Sequence, residues 1–375
     1  MTFRTIPDDG SPLRVILVGV GGMGQAWLQA ISECDAVTLV GLVDLDTAAA
    51  EAVAGRFGVL DVAIGADAVE VAARTGAEAV IDVTVPAAHH PVTTAALFAG
   101  LPVLGEKPVA ASVAQGLSLA AAAQVTGELF MVSQSRRYNK QLFSFRQQLA
   151  GLGRVGVMTT EFFKAPHFGG FRDEMAHPLL LDMAIHQLDS ARFLLGQDPV
   201  SVYCQEFNPA WSWYAGDAGC TAIFEMADGA RYVFTGSWCS PGLETSWNGS
   251  WRASGEFGSA RWSGDDAPQV ERTGGATADP PADSGGGPLG DGIAGSLREF
   301  VAALRTGVVP MGEVADNVMS LAMVEAAIES NARQRPVQLR DSLSDALDRA
   351  VNDEQRDDVA LVLKSWHSQG RFARG

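Results

Sequence analysis

The chain has 375 residues with 44 acidic against 27 basic side chains, a formal charge of −17. Such a surface repels phosphate backbones and anionic membranes, so nucleic-acid and membrane partners are excluded as expectations. Hydrophobic residues make up 47% and charged residues 19%, the balance of an ordinary globular protein long enough for two cores. The N-terminus lacks the apolar run of a signal peptide, and no stretch approaches the ~20 apolar residues of a membrane span. Cys34, Cys204, Cys220 and Cys239 show no metal-ligand spacing, so we expect no metal, reduced thiols and a cytoplasmic location.

The first element is the most informative. Val15–Val18 is a β-branched run that meets a glycine cluster, followed by a helix-period pattern at Trp27, Leu28 and Ile31. Gly19, Gly21 and Gly24 fit G-x-G-x-x-G. The first glycine allows a sharp turn, the second lets backbone approach a pyrophosphate, and the third lets helix pack close on strand. Gly22 and Met23 lie inside the same turn, at a helix N-terminus able to receive phosphate. A second apolar strand then ends in Asp44, 20 residues after Gly24, where a dinucleotide fold places the carboxylate for the adenosine ribose. Leu45 and Asp46 supply no cation for a 2′-phosphate, so NAD is favoured over NADP.

Strand and helix patterns alternate from 13 to about 134. Candidate strands are Arg14–Gly19, Val37–Val43, Val62–Ile64, Ala79–Val83, Pro102–Leu104 and Leu129–Ser133, with helices such as Thr47–Phe57, His89–Phe98 and Ser112–Val125 between them. This grammar predicts a parallel, doubly wound Rossmann sheet whose ligands lie beyond the carboxyl ends of the strands. Thr84-Val85-Pro86 and Gly105-Glu106-Lys107-Pro108 fall at such ends.

After about 135 the strands become mostly antiparallel, with one long helix at Pro178–Leu195. Pro178 and Gly196 are good boundary signals for that helix. Asp182, His186 and Asp189 share one of its faces. A histidine beside a carboxylate makes a general base, whereas a polar stripe on an amphipathic helix is ordinarily its solvent face. Residues 264–290, rich in Gly, Pro and Asp, read as a loop and not as a fold element. Helices follow near 293–305 and 313–333, then a strand at Val337–Leu339 and a helical pattern over 342–366. The expected organisation is a Rossmann domain over 1–134, an α+β domain with a large, open, mostly antiparallel sheet over 135–340, and a helical extension over 341–375.

The glycine turn, Asp44, Glu106-Lys107-Pro108 and the string Leu181 to His186 together resemble the Gfo/Idh/MocA oxidoreductases, which include inositol and glucose dehydrogenases. The resemblance covers roughly 13 to 340. It implies a nicotinamide cofactor and hydride transfer at a secondary alcohol of a sugar, polyol or inositol. Lys107, Asp182 and His186 would be catalytic, with His186 the acid/base and a cis bond often preceding Pro108. Gly19, Gly21, Gly22, Met23, Gly24, Asp44, Thr84, Val85, Pro86, His89, Glu106 and Lys107 would contact the cofactor. Arg137 and Tyr138, in a stretch that carries Asn139 where inositol dehydrogenases have Asp, would face substrate together with His167, Arg172, Asp182 and His186. Ala176-His177-Pro178 departs from the glycines common in the family, which bears on the pocket's shape. The tryptophans 211, 213, 238 and 247 suit a sugar face, but aromatics on strands more commonly fill cores or subunit interfaces. Relatives form dimers or tetramers, so a homo-oligomer is expected. Two other readings share the fold: a redox-neutral enzyme with tightly held NAD that oxidises a sugar transiently to allow elimination, and a non-enzymatic dinucleotide-binding regulator.

Overall fold

A computed structural model of the chain describes residues 2–273 and 289–370. In chain order the first elements are β1 (Leu13–Val18), α1 (Gly22–Ser32), β2 (Val37–Val43), α2 (Thr47–Phe57), β3 (Ala63–Gly65), α3 (Ala68–Thr75), β4 (Ala79–Asp82), α4 (Pro86–Phe98), β5 (Val103–Glu106), α5 (Val113–Thr126) and β6 (Phe130–Ser133). The second half runs α6 (Lys140–Ala150), β7 (Val155–Phe163), a π-helical stretch (Leu179–Ala184), α7 (Ile185–Leu195), β8 (Pro199–Phe207), β9 (Gly219–Met226), β10 (Arg231–Ser237), β11 (Ser250–Gly255), β12 (Gly258–Trp262) and β13 (Gln269–Arg272). It closes with α8 (Gly292–Thr306), α9 (Val314–Arg333), β14 (Val337–Gln338), α10 (Leu339–Asp353) and α11 (Asp357–Gln369).

Among the described residues, 2–138, 289–318 and 345–370 form one compact unit, and 139–273 with 319–344 form the other. The first unit holds a six-stranded sheet in the order β3-β2-β1-β4-β5-β6, parallel throughout. Its strands are apolar and nearly continuously buried, as a sheet covered on both faces requires. The strand order reverses between β1 and β4, which opens a crevice at their carboxyl ends. On one face α1 packs with α8, whose Leu297, Phe300 and Leu304 join the core of Leu13, Val15, Leu17, Trp27 and Leu28. On the other, the alanine-rich α5 is buried along its length and α11 lies against it, with Val359, Leu363 and Trp366 turned inward.

The second unit is an eight-stranded sheet, β13-β12-β11-β7-β10-β9-β8-β14. It is antiparallel except for the pairing of β10 with β7. Along β9 and β10 buried and open residues alternate, so one face is core and the other carries Ile223, Thr221, Arg231 and Glu225.

Three sequence expectations change. The segment read as a loop from 264 contains β13, an edge strand paired with β12; residues 274–288 lie outside the described residues. Its alternation, Gln-Val-Glu-Arg, is too short to show above the glycines around it. The helix at Pro178–Leu195 begins as a π-helix over Leu179–Ala184 before turning α-helical. The pattern over 342–366 is two helices, broken where Glu354, Gln355 and Arg356 interrupt the apolar stripe.

Candidate active site

The glycine turn is built from backbone. Gly19 has φ +92°, and a Cβ there would lie 2.6 Å from the Val83 carbonyl oxygen. A Cβ on Gly24 would lie 2.1 Å from the Gly19 oxygen, so this position fixes how closely α1 meets β1. Gly21 and Gly22 differ: a Cβ on either would project into open space. The space beside them is what a pyrophosphate would occupy. Gly21 caps α1 with no side-chain hydrogen bond, and the first turn holds no acidic residue, so the positive end of the helix is left for an anion. Asp44 closes β2; its Oδ2 accepts from Val20 N at 3.0 Å and its Oδ1 from Asp46 N at 3.0 Å. Each oxygen keeps a lone pair for a ribose hydroxyl, and the residues present fit a dinucleotide.

The next strand ends carry charge. Glu106 is buried at the end of β5, accepting from Trp27 Nε1 at 2.8 Å and from Lys107 N at 3.0 Å. Burial pushes its carboxyl above the usual range, while the Trp27 bond and the Lys107 charge pull it back. Lys107 follows half-buried, and the Lys107–Pro108 bond is cis, as the family resemblance implied. At the end of β4, Asp82 accepts from Thr84 N and Oγ1 at 3.1 and 2.7 Å and from Thr93 Oγ1 at 3.1 Å. Val85 and Pro86 open α4, with Val85 exposed. His89 is buried and its ring nitrogens face the carbonyls of Pro108 and Thr84.

Arg137 and Tyr138 are engaged inside the first unit. Arg137 donates to the Met311 carbonyl at 2.5 Å and pairs with Asp316 at 3.4 Å, while the Tyr138 hydroxyl bonds Glu299. Gln134, missed in the sequence, is fully buried just past β6, and among the described residues neither of its amide atoms has a partner. Its only signal was a polar residue closing an apolar strand.

In the second unit the polar stripe of the π/α helix is not a solvent face. His186 is 6% exposed, and Asp182 keeps 14% of its side-chain exposure. Arg172 donates from Nε to Asp182 Oδ2 at 2.9 Å. His167 donates from Nε2 to Asp173 Oδ2 at 3.0 Å and stacks on Trp213 with ring centroids 4.9 Å apart. Tyr214 adds a hydroxyl bonded to the Pro166 carbonyl; burial, with the charges of Asp182 and Asp173, pushes its pKa up to about 12. Thus Arg172 meets Asp182 and His167 meets Asp173 and Trp213, and of these residues Asp173, like Tyr214, had no signal in the sequence. Asp189 accepts from Ser320 Oγ at 2.5 Å, and that hydroxyl in turn accepts from Arg192 Nη1 at 2.9 Å. His177, at the departure from the family pattern, is paired through Nδ1 with the buried Glu206 at 2.9 Å. A π-helix has a wider turn than an α-helix and is frequent at functional sites; here it carries Asp182.

Among the described residues no group of three or more His, Cys, Asp or Glu could hold a metal, and no helix is long and apolar enough to cross a membrane.

The family model for the oxidoreductase NAD-binding Rossmann fold matches residues 13–134, and that for the Gfo/Idh/MocA C-terminal domain matches 151–261. The chain is 28% identical over 234 residues to the uncharacterized protein y4oX of Sinorhizobium fredii, covering 60% of this chain and 65% of that one. It is 27% identical over 347 residues to an inositol 2-dehydrogenase of Rhizobium meliloti, covering 87% and 99%. Its fold superposes with a TM-score of 0.78, at 22% identity, on an oxidoreductase from Agrobacterium radiobacter solved with NAD+, L-tartaric acid and magnesium, covering 87% and 98%. The chain belongs to the Gfo/Idh/MocA family of oxidoreductases, with an NAD-binding Rossmann domain.

Proposed function

We propose that this oxidoreductase moves hydride between NAD and a secondary alcohol of a sugar, polyol or inositol. The observation that carries the reading is the burial of the Asp182/His186 stripe, which solvent-facing residues would not show. The inositol 2-dehydrogenase relative and the tartaric acid bound by the Agrobacterium protein support a small polyhydroxylated substrate. When bound, the nicotinamide supplies the hydride acceptor. His186 takes the hydroxyl proton, Lys107 stabilises the oxygen as negative charge develops, and Asp182, steadied by Arg172, orients the imidazole. Glu106 holds Lys107 through its backbone N–H. Gly19, Gly21, Gly22, Met23, Gly24 and Asp44 bind the dinucleotide, Thr84, Val85, Pro86 and His89 shape its nicotinamide end, and the absence of a cation at Leu45 and Asp46 favours NAD over NADP. His167 and Arg172 address substrate hydroxyls, while Arg137 and Tyr138, also expected on the substrate side, keep Met311, Asp316 and Glu299 as partners within the first unit. The open sheet face, with Val157 and Ile223 each about two-fifths exposed, joins copies into a homodimer or homotetramer, which light scattering would read.

The test is a panel of inositols, aldoses, sugar acids and glycosides with NAD and NADP, following absorbance of the reduced cofactor. A substrate giving NADH supports the dehydrogenase. Substrate consumed without net NADH points instead to the redox-neutral cycle, and no turnover with any of them to a regulator.

A further inference from the structure

His89 lies in the first turns of α4 and is 2% exposed. Its Nδ1 is 2.8 Å from the Pro108 carbonyl oxygen and its Nε2 is 3.0 Å from that of Thr84. A carbonyl oxygen can only accept, and a neutral imidazole has one N–H to give. A neutral ring would therefore point a nitrogen lone pair at a carbonyl lone pair in a place closed to water, leaving two buried acceptors unsatisfied. Only the imidazolium serves both oxygens. A buried cation needs a counter-charge, and Asp82, 1% exposed at the end of β4, provides one. Its carboxylate collects three donors from Thr84 and Thr93, the pattern of an ionised acceptor. Burial pushes the Asp82 carboxyl up, and the His89 charge and the threonine bonds oppose that push. Glu106, at the end of β5, also feels the His89 charge, together with that of Lys107.

We propose that His89 is held as an imidazolium at neutral pH, counter-charged by Asp82, and acts as a clasp between the Thr84 turn and the Lys107–Pro108 turn. It is then a positioning residue: with both ring nitrogens spent on carbonyls, it acts on the nicotinamide end and on Lys107 through the two turns it ties together. The positioning role rests on the reading that Lys107 works on the substrate; the protonation state does not.

Nitrogen-15 NMR of the histidine-labelled full chain at neutral pH tests the charge directly. The chain has six histidines, and H89Q assigns the signal. Both His89 ring nitrogens should resonate as protonated, and D82N should turn one of them pyridine-like. A wild-type spectrum with one pyridine-like nitrogen overturns the proposal, whatever the substrate panel shows. With a substrate in hand, H89Q should lower kcat about 10- to 100-fold, the size of a misplaced catalytic group. The loss should largely vanish when Lys107→Ala is already present. Where H89Q does not fold, D82N, which keeps the size of the side chain, carries the same cycle. Losses that simply add to that of Lys107→Ala overturn the positioning role.

Discussion

The two units build their candidate sites from different materials. In the first, the ligand cradle is main chain: the turn at Gly19, the uncapped amides of α1, and an Asp44 whose two oxygens are each tied to backbone N–H. In the second, the candidate site is a set of side-chain pairs, Arg172 with Asp182 and His167 with Asp173, braced by Trp213 and Tyr214. A main-chain cradle tolerates few sequences, because only glycine lets backbone approach a ligand or bend at φ +92°. A side-chain cluster can be assembled from many residues, so its specificity drifts while the frame stays.

The largest expected effect separates the two halves outright. His186→Ala should lower kcat about 10²–10⁴-fold, the usual share of a general base, and leave NADH affinity unchanged by fluorescence titration. Lost cofactor affinity in that variant would break the division, since a residue of the second unit would then be holding the dinucleotide.

The glycines sharpen the same comparison within the first unit. Gly24→Ala forces a Cβ against the Gly19 carbonyl at 2.1 Å and should destabilise the fold by about 3 kcal/mol or more. Gly21→Ala meets nothing within 4 Å, so its melting temperature should stay near that of wild type. Its NADH affinity should fall roughly tenfold or more, because the methyl occupies the space of the pyrophosphate. Equal melting losses in both variants would remove the distinction between a packing glycine and a binding one.

This contrast explains what could be read in advance. Alternating strands and helices, the G-x-G-x-x-G turn, Asp44 and Glu106-Lys107-Pro108 each have a local spacing that serves a local geometry, and all were legible. The return of α8 and α11 to the first unit was not, because their apolar stripes, Leu297-Phe300-Leu304 and Val359-Leu363-Trp366, would fit any complementary surface. The Asp182/His186 stripe left its own burial undecided: helical spacing puts the two on one face but does not say what covers it. Asp173 and Tyr214 had no signal at all, since their meaning comes from loops that meet only in space.

Arg172→Ala tests the side-chain half at intermediate strength. The guanidinium bond to Asp182 is charge-assisted and partly sheltered, with the two side chains 32% and 14% exposed. Its loss should raise KM about tenfold, in keeping with the 1.5–3 kcal/mol of such bonds discounted for solvent, and lower kcat less. An unchanged KM with a deep loss of kcat would move Arg172 from substrate binding to the reaction itself.

The smallest effect belongs to His177, which lies just before the Asp182 helix. Its close pairing with Glu206 raises the imidazole above its ordinary value of 6.5, with the Asp217 charge adding to the effect and burial opposing it. The native chain therefore holds this proton more tightly than the unfolded chain does. The pair's contribution to stability is complete below 6.5 and fades as pH rises through the higher native value. Glu206, raised by its own burial, acts in the same sense in a lower window that opens at 4.5. Because His177 keeps 27% of its side-chain exposure, the change should be no more than about 1 kcal/mol. Urea midpoints followed upward from pH 6.5 should decline for wild type and lose that component of the slope in His177→Gln. Parallel curves for the two proteins would mean that the pairing with Glu206 has no hold on stability, and the residue's place before the Asp182 helix would then need a reason in substrate binding alone.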